Sequence, residues 1–177
     1  MSARESIIPV FVPHLGCPNA CVFCNQRRIS GAAVPATAGD VRRAVEAAAA
    51  LPANGGGGRQ LAFYGGSFTA IPAAEQEELL AAAQPYLADG TINSIRLSTR
   101  PDAIDGEVLA RLRRFGVQTV EIGAQSMSDR VLALSGRGHT AADVESASQQ
   151  IKAAGFRLIL QMMTGLPGSD DDSDVEL

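Results

Sequence analysis

His14-Leu15-Gly16-Cys17-Pro18-Asn19-Ala20-Cys21-Val22-Phe23-Cys24-Asn25-Gln26 holds every cysteine of the chain, in the spacing C-x3-C-x2-C. Gly16, Pro18 and Asn19 bend such a segment into a loop, and three thiolates set this close can converge on one soft-metal site. Iron–sulfur clusters are held by such thiolates. Three ligands are one short of the four that fill a cluster or a structural zinc, so one metal position would stay open to a small molecule. The same residues admit other readings. A Cys3His zinc site could recruit His14 or the distant His139. Cys21 and Cys24 could be a thioredoxin-type redox pair, which leaves Cys17 without a role. Three unrelated buried thiols would have to cluster by chance in a chain with no other cysteine.

Outward from this loop, short apolar runs alternate with helical patterns. Ile7-Ile8-Pro9-Val10-Phe11-Val12 is β-branched and apolar, predicts a buried strand, and delivers the chain directly to the cysteines. Asp40 to Leu51 reads as a helix with Val41, Ala44, Val45 and Ala48 on one face. Pro52 to Gly58 reads as a flexible surface loop; no Gly-Lys-Ser/Thr follows its four glycines, which argues against a phosphate cradle. Gln60 to Tyr64 is the second strand, and a helix from Pro72 to Tyr86 follows it. Ser94 to Thr99 is the third strand, stopped by Pro101 and followed by a helix from about Asp105 to Phe115. Gly116 to Ile122 is the fourth, with helical stretches over Ser128–Leu134 and Ala141–Ala154 closed by Gly155. Arg157 to Met162 is the fifth.

Strand–helix alternation with short loops predicts an α/β fold built of right-handed βαβ units around a parallel sheet. A closed eight-fold barrel needs roughly 250 residues, more than this chain has. In such folds ligands bind outside the carboxyl ends of the strands. The unusual residues fall there: Gly65, Gly66 and Ser67 after strand two, Ser98 at the end of strand three with Arg100 just past it, Gln125 and Arg137 after strand four, and Gln161 at the end of strand five. Glu121 lies between Val120 and Ile122, as either a solvated alternate position or a carboxylate pointing into the barrel. Arg100 has the reach for an anionic ligand or a structural ion pair, His139 reads as a local hydrogen-bonder, and Met162 and Met163 as core fillers.

The 177 residues are enough for one domain with a sizeable core, and no apolar run is long enough to span a membrane. The amino terminus lacks the apolar core of a signal peptide, and an odd number of clustered cysteines argues for a reducing compartment, hence the cytoplasm. A net charge of −4 argues against a general nucleic-acid-binding surface. Arg111, Arg113 and Arg114 stand at helical spacing and read as a solvated face, which leaves Arg27-Arg28 as the better anionic-ligand candidate.

C-x3-C-x2-C with an aromatic before the last cysteine resembles the signature of radical S-adenosylmethionine (SAM) enzymes. The fuller string Pro13 to Gln26 resembles the branch containing the catalytic subunit of Elongator and its bacterial relatives. Matching strings extend over about residues 7 to 168. The resemblance implies a partial (β/α)6 barrel with a 4Fe–4S cluster at the C-terminal mouth of its strands. By that template residues 1–177 are a core domain truncated after the fifth strand, whose exposed edge would be a liability. Cys17, Cys21 and Cys24 would ligate three irons, and the amino and carboxylate groups of SAM the fourth. One electron, from a donor of flavodoxin or ferredoxin type, would cleave SAM to methionine and a 5′-deoxyadenosyl radical that takes a hydrogen from substrate.

The resemblance also assigns site residues. Phe23 would pack near the adenine, and Gly65, Gly66 and Ser67 would bind the SAM amino group. Gln125 and Arg137 would hydrogen-bond or pair with SAM, Arg137 through its fixed donor fork. Ser98 and Gln161 stand where coproporphyrinogen oxidases carry Glu and Asp, two departures from the pattern of those enzymes. Elongator-like relatives modify the wobble uridine of tRNA and carry a C-terminal acetyltransferase domain. No second domain is present in these residues, so acetyl transfer is not expected of them. The alternatives are a coproporphyrinogen-oxidase-like enzyme and a zinc-stabilised, non-catalytic binding domain.

Overall fold

A computed structural model describes residues 5–12, 21–24, 34–52 and 57–170. Five strands form one sheet in the order β1-β2-β3-β4-β5, every neighbouring pair parallel. They are β1 (Glu5–Val12), β2 (Gly57–Gly65), β3 (Ser94–Thr99), β4 (Val117–Gln125) and β5 (Arg157–Met162). Between them lie α1 (Ala38–Ala49), α2 (Ala73–Ala88), α3 (Gly106–Arg114), α4 (Asp129–Leu134) and α5 (Ala141–Ala153). This is the α/β architecture that the alternation predicts.

Local chemistry explains where the helices begin. Thr37 caps α1 and Thr140 caps α5, each in a reciprocal box with the Asp three residues on, Asp40 and Asp143. The Asp105 side chain accepts from Val108 N at 2.8 Å to start α3.

Period-two alternation then sorts the strand side chains onto two faces. Ile8, Val10 and Val12 of β1, Leu61 and Phe63 of β2, Ile95 and Leu97 of β3, and Val120 and Ile122 of β4 join the core. Val41 and Val45, Leu79 and Leu80, Leu112, and Ile151 meet them from the helices. Each such side chain, fully enclosed, contributes about 1.5–3 kcal/mol. The opposite face carries Ile7 and Phe11, both exposed, then Tyr64, Arg96, Ser98, Glu121 and Gln161.

Two segments differ from the sequence reading. Gly57 and Gly58 belong to β2, not to a loop, because Gly57 pairs with Glu5 and β1 begins earlier than its apolar run. Gly58 is needed there: an added Cβ would lie 1.8 Å from Asn93 Oδ1, which itself accepts from Arg59 N at 2.8 Å. β4 continues beyond Ile122 to Gln125, carried by pairing with β5. The arginines of α3 are engaged with protein rather than merely solvated. Arg111 and Arg114 pair with Glu77 of α2, and Arg113 donates to the Ala154 carbonyl at the end of α5. Arg27, Arg28 and His14 lie outside the described residues.

Candidate metal centre and cofactor site

The carboxyl ends of the strands bring the cysteine segment and the candidate ligands to one rim. Cys21 is buried and Cys24 half-buried, and Cys24 N donates to Cys21 O at 2.9 Å, closing a tight turn. Val22 N donates to Ser135 O at 3.1 Å, which fastens this turn to the end of α4. Cys17, the third expected ligand, lies outside the described residues.

Arg137 joins the cysteine turn to the end of β4. Its Nη1 is 3.7 Å from Cys21 Sγ, its Nη2 donates to Gly123 O at 2.5 Å, and its guanidinium lies 5.9 Å from the Phe23 ring centroid. Its Nε is buried and has no hydrogen-bond partner among the described residues. An orphaned, enclosed donor is costly in a finished protein and marks a place for an acceptor.

Gln125 converges on the same spot. Its φ of 71° is the one positive value at a non-glycine residue among those described, the kind of strained backbone that concentrates at functional sites. A register shift between Gly123 and Gln125 skips one residue of pairing with β5, and the Gln125 carbonyl accepts from Met163 N at 2.9 Å. The distortion re-aims the Gln125 side chain over Gly123. A Cβ on Gly123 would meet Gln125 Nε2 at 2.9 Å and Arg137 Nη2 at 3.5 Å.

The glycine pair after β2 is built for close approach. Gly65 has φ 102°, and Gly66 N donates to Val12 O at 2.8 Å, next to the entry to the cysteine segment. The Ser67 hydroxyl is turned away to a buried latch: it lies 2.8 Å from Thr99 Oγ1 and accepts from Arg100 N at 3.2 Å. Any contact from Ser67 to a ligand at this rim is therefore left to its backbone.

Ser98 and Gln161 are both committed to Glu121. Ser98 Oγ donates to Glu121 Oε1 at 3.1 Å, Gln161 Nε2 donates to the same oxygen, and Arg96 pairs with Oε2. Glu121 is thus buried, resolving the two readings of this residue in favour of the inward one. The Ser98 hydroxyl hydrogen and one Gln161 N–H are thus taken, and the oxygens of both side chains remain as acceptors. Arg96 also lies over Tyr64, 5.8 Å from its ring centroid, and burial pushes the Tyr64 phenol above its ordinary value. Arg96 and its carboxylate partner went unrecognised as a pair in the sequence; the alternation of β3, which puts Arg96 and Ser98 on one face, was the available signal.

His139 is buried with Nε2 3.1 Å from Ala124 O, the local role expected of it. Burial, reinforced by the Arg137 charge, holds its pKa below the usual histidine value. Arg100 is held in a two-pronged ion pair with Asp102, both contacts 3.0 Å.

The residues in place fit a thiolate-held cluster and an adjoining ligand. A soft donor pair sits at a turn, an enclosed cationic donor faces it, and the missing side chain at Gly123 lets Gln125 and Arg137 close in beside them.

Comparison with known proteins places the chain in a family. A tRNA uridine(34) acetyltransferase of Methanocaldococcus jannaschii is 32% identical over 81 residues, 46% of this chain and 15% of that protein. The chain therefore matches only a small part of this relative's length. Among solved structures, the archaeal Methanocaldococcus infernus Elp3 superposes with a TM-score of 0.70 at 20% identity, covering 98% of this chain and 41% of that one. The coproporphyrinogen III oxidase HemN from Escherichia coli does so with a TM-score of 0.65 at 22% identity, covering 97% and 40%. At such identities these structures speak for the fold. The Radical SAM superfamily model matches residues 11–177, nearly the whole chain, and the chain belongs to that superfamily.

Proposed function

We propose that this chain is the radical-generating core of a SAM-dependent iron–sulfur enzyme, acting on a tRNA uridine. Cys17, Cys21 and Cys24 would hold a 4Fe–4S cluster. SAM would lie across the ends of β2 to β5, against Phe23, Gly65, Gly66, Gln125 and Arg137. The observation that carries this reading is Arg137: a guanidinium in contact with Cys21 sulfur, anchored on Gly123, with its Nε enclosed and unpartnered.

When bound, the cluster and SAM supply a one-electron cleavage that yields a carbon radical able to abstract hydrogen. The protein's own residues do the rest. Arg137 offers a donor fork to a carboxylate, and the free acceptors of Ser98 and Gln161 receive donors such as ribose hydroxyls. Gly65 and Gly66 let backbone carbonyls approach an ammonium group. Phe23, half-buried against the Arg137 guanidinium, covers one side of the cysteine turn. A reducing cytoplasmic setting and an electron donor of flavodoxin or ferredoxin type suit a trio of thiolates of this kind.

The tRNA substrate is supported by the names of the matched relatives, which include tRNA uridine(34) acetyltransferases and Elongator complex protein 3. Anaerobic reconstitution with iron and sulfide, followed by dithionite and SAM, tests the reading. Formation of 5′-deoxyadenosine that rises with added tRNA is the expected result. A colourless protein holding one tight zinc would refute it.

A further inference from the structure

Several arginines in this structure have a carboxylate beside them: Arg43 has Asp40, Arg96 has Glu121, Arg100 has Asp102, and Arg111 and Arg114 share Glu77. Arg137 has none among the described residues. Its partners are a carbonyl, an aromatic face and the sulfur of Cys21, and none of them cancels its charge. A cation held in a partly buried site without a counter-charge is unfavourable unless something anionic is bound beside it.

We propose that Arg137 sets the reduction potential of the cluster, through a charged hydrogen bond from Nη1 to the sulfur of Cys21. This rests on the function proposed above, and it is separate from any contact between Arg137 and SAM. A 4Fe–4S centre with three thiolate ligands carries a net charge of −1 when oxidised. Uptake of one electron from an external low-potential donor makes it −2. A fixed positive charge and an N–H donor at a ligating sulfur favour the more negative form, so they raise the potential. The position of Arg137 is fixed without SAM, because Gly123 O holds Nη2 and the Val22–Ser135 bond holds the cysteine turn against the segment that carries it. The low local dielectric around the buried Cys21 preserves the effect.

The test is a redox titration of the anaerobically reconstituted full chain with dithionite, in the absence of SAM. The paramagnetic reduced cluster is read by electron paramagnetic resonance, and each sample is normalised to its iron and sulfide. The Arg137→Gln variant should shift the reduced-to-oxidised ratio at a fixed potential about tenfold toward oxidised, a lowering of ~59 mV for a one-electron couple. Arg137→Lys, which keeps the charge without the fork, should fall between it and the parent protein. Equal potentials in all three proteins at equal cluster content would overturn the proposal. So would failure of both variants to take up iron, since the side chain would then serve assembly rather than tuning. If the parent protein itself assembles no cluster, the proposed function fails first and is identified as the fault.

Discussion

Glu121 of β4 receives the Arg96 guanidinium from β3 on one carboxylate oxygen and leaves the other to Ser98 and Gln161. The pair is nearly enclosed, with side chains 14% and 5% exposed. It ties three strands together on the face opposite the apolar core. Removing one partner strands the other in a poorly solvated place. Glu121→Ala should therefore cost about 3–5 kcal/mol of stability in chemical denaturation. The double variant Arg96→Met, Glu121→Leu should recover most of that loss, because no lone charge remains. A double variant as unstable as the single one would show that the network, rather than charge burial, sets the cost.

Gly123 is the hollow over which Gln125 and Arg137 meet. Alanine there presses on the far ends of two flexible side chains and not on backbone. The expected stability change is small, below about 1 kcal/mol. SAM affinity of the reconstituted protein, followed by equilibrium dialysis, should nevertheless fall at least tenfold. Undiminished binding would remove both side chains from the proposed SAM site.

Gly65→Ala should be destabilising on two counts. Its φ of 102° is a conformation that side chains rarely adopt, and the added Cβ would lie 3.0 Å from the Val12 carbonyl oxygen. A loss of about 1–3 kcal/mol of unfolding free energy, read by chemical denaturation, is expected.

His139 makes stability depend on mild acidity. The folded state holds the imidazole neutral below its ordinary value of 6.5, while the unfolded chain takes up a proton near that pH. The unfolded state then binds more protons, so stability is intact above about pH 6.5 and falls as the pH drops through it. His139→Gln can still donate to Ala124 O and has no proton to gain. The difference in melting temperature between the parent and this variant should narrow or reverse from pH 7 to pH 5. A constant difference would mean that His139 does not titrate in this range.

Each of Cys17→Ala, Cys21→Ala and Cys24→Ala should lower bound iron and sulfide and abolish SAM cleavage, while circular dichroism of the α/β fold is retained. Retained cleavage in any one of the three would break the proposed ligand set.

Much of the scaffold was legible because periodicity is local. β3 begins and ends where its apolar alternation does and β5 spans its apolar run, and Thr140, Asp105 and Gly155 punctuate the helices by their own side-chain chemistry or conformational freedom. Gly57 and Gly58 were illegible for the opposite reason: their strand character comes from Glu5 and Asn93, which are remote in sequence. The same holds at the site. Cys21, Gln125 and Arg137 stand out as residue types in matching strings. That Ser67 would turn to Thr99, and that Ser98 and Gln161 would share one carboxylate, depends on strand register, which no single segment encodes.

Because the sheet runs β1-β2-β3-β4-β5, every new strand finds its neighbour already made. A nascent chain leaving the ribosome could add strands one after another, without a late insertion between earlier ones. Each pairing still closes a long crossover, from Ser6 to Arg59 for the first, so parallel pairing is the slow part of assembly. The cysteine segment, lying between the first two strands, leaves the ribosome well before Gln125, Arg137 and Gln161, so its thiols wait for the rest of their rim.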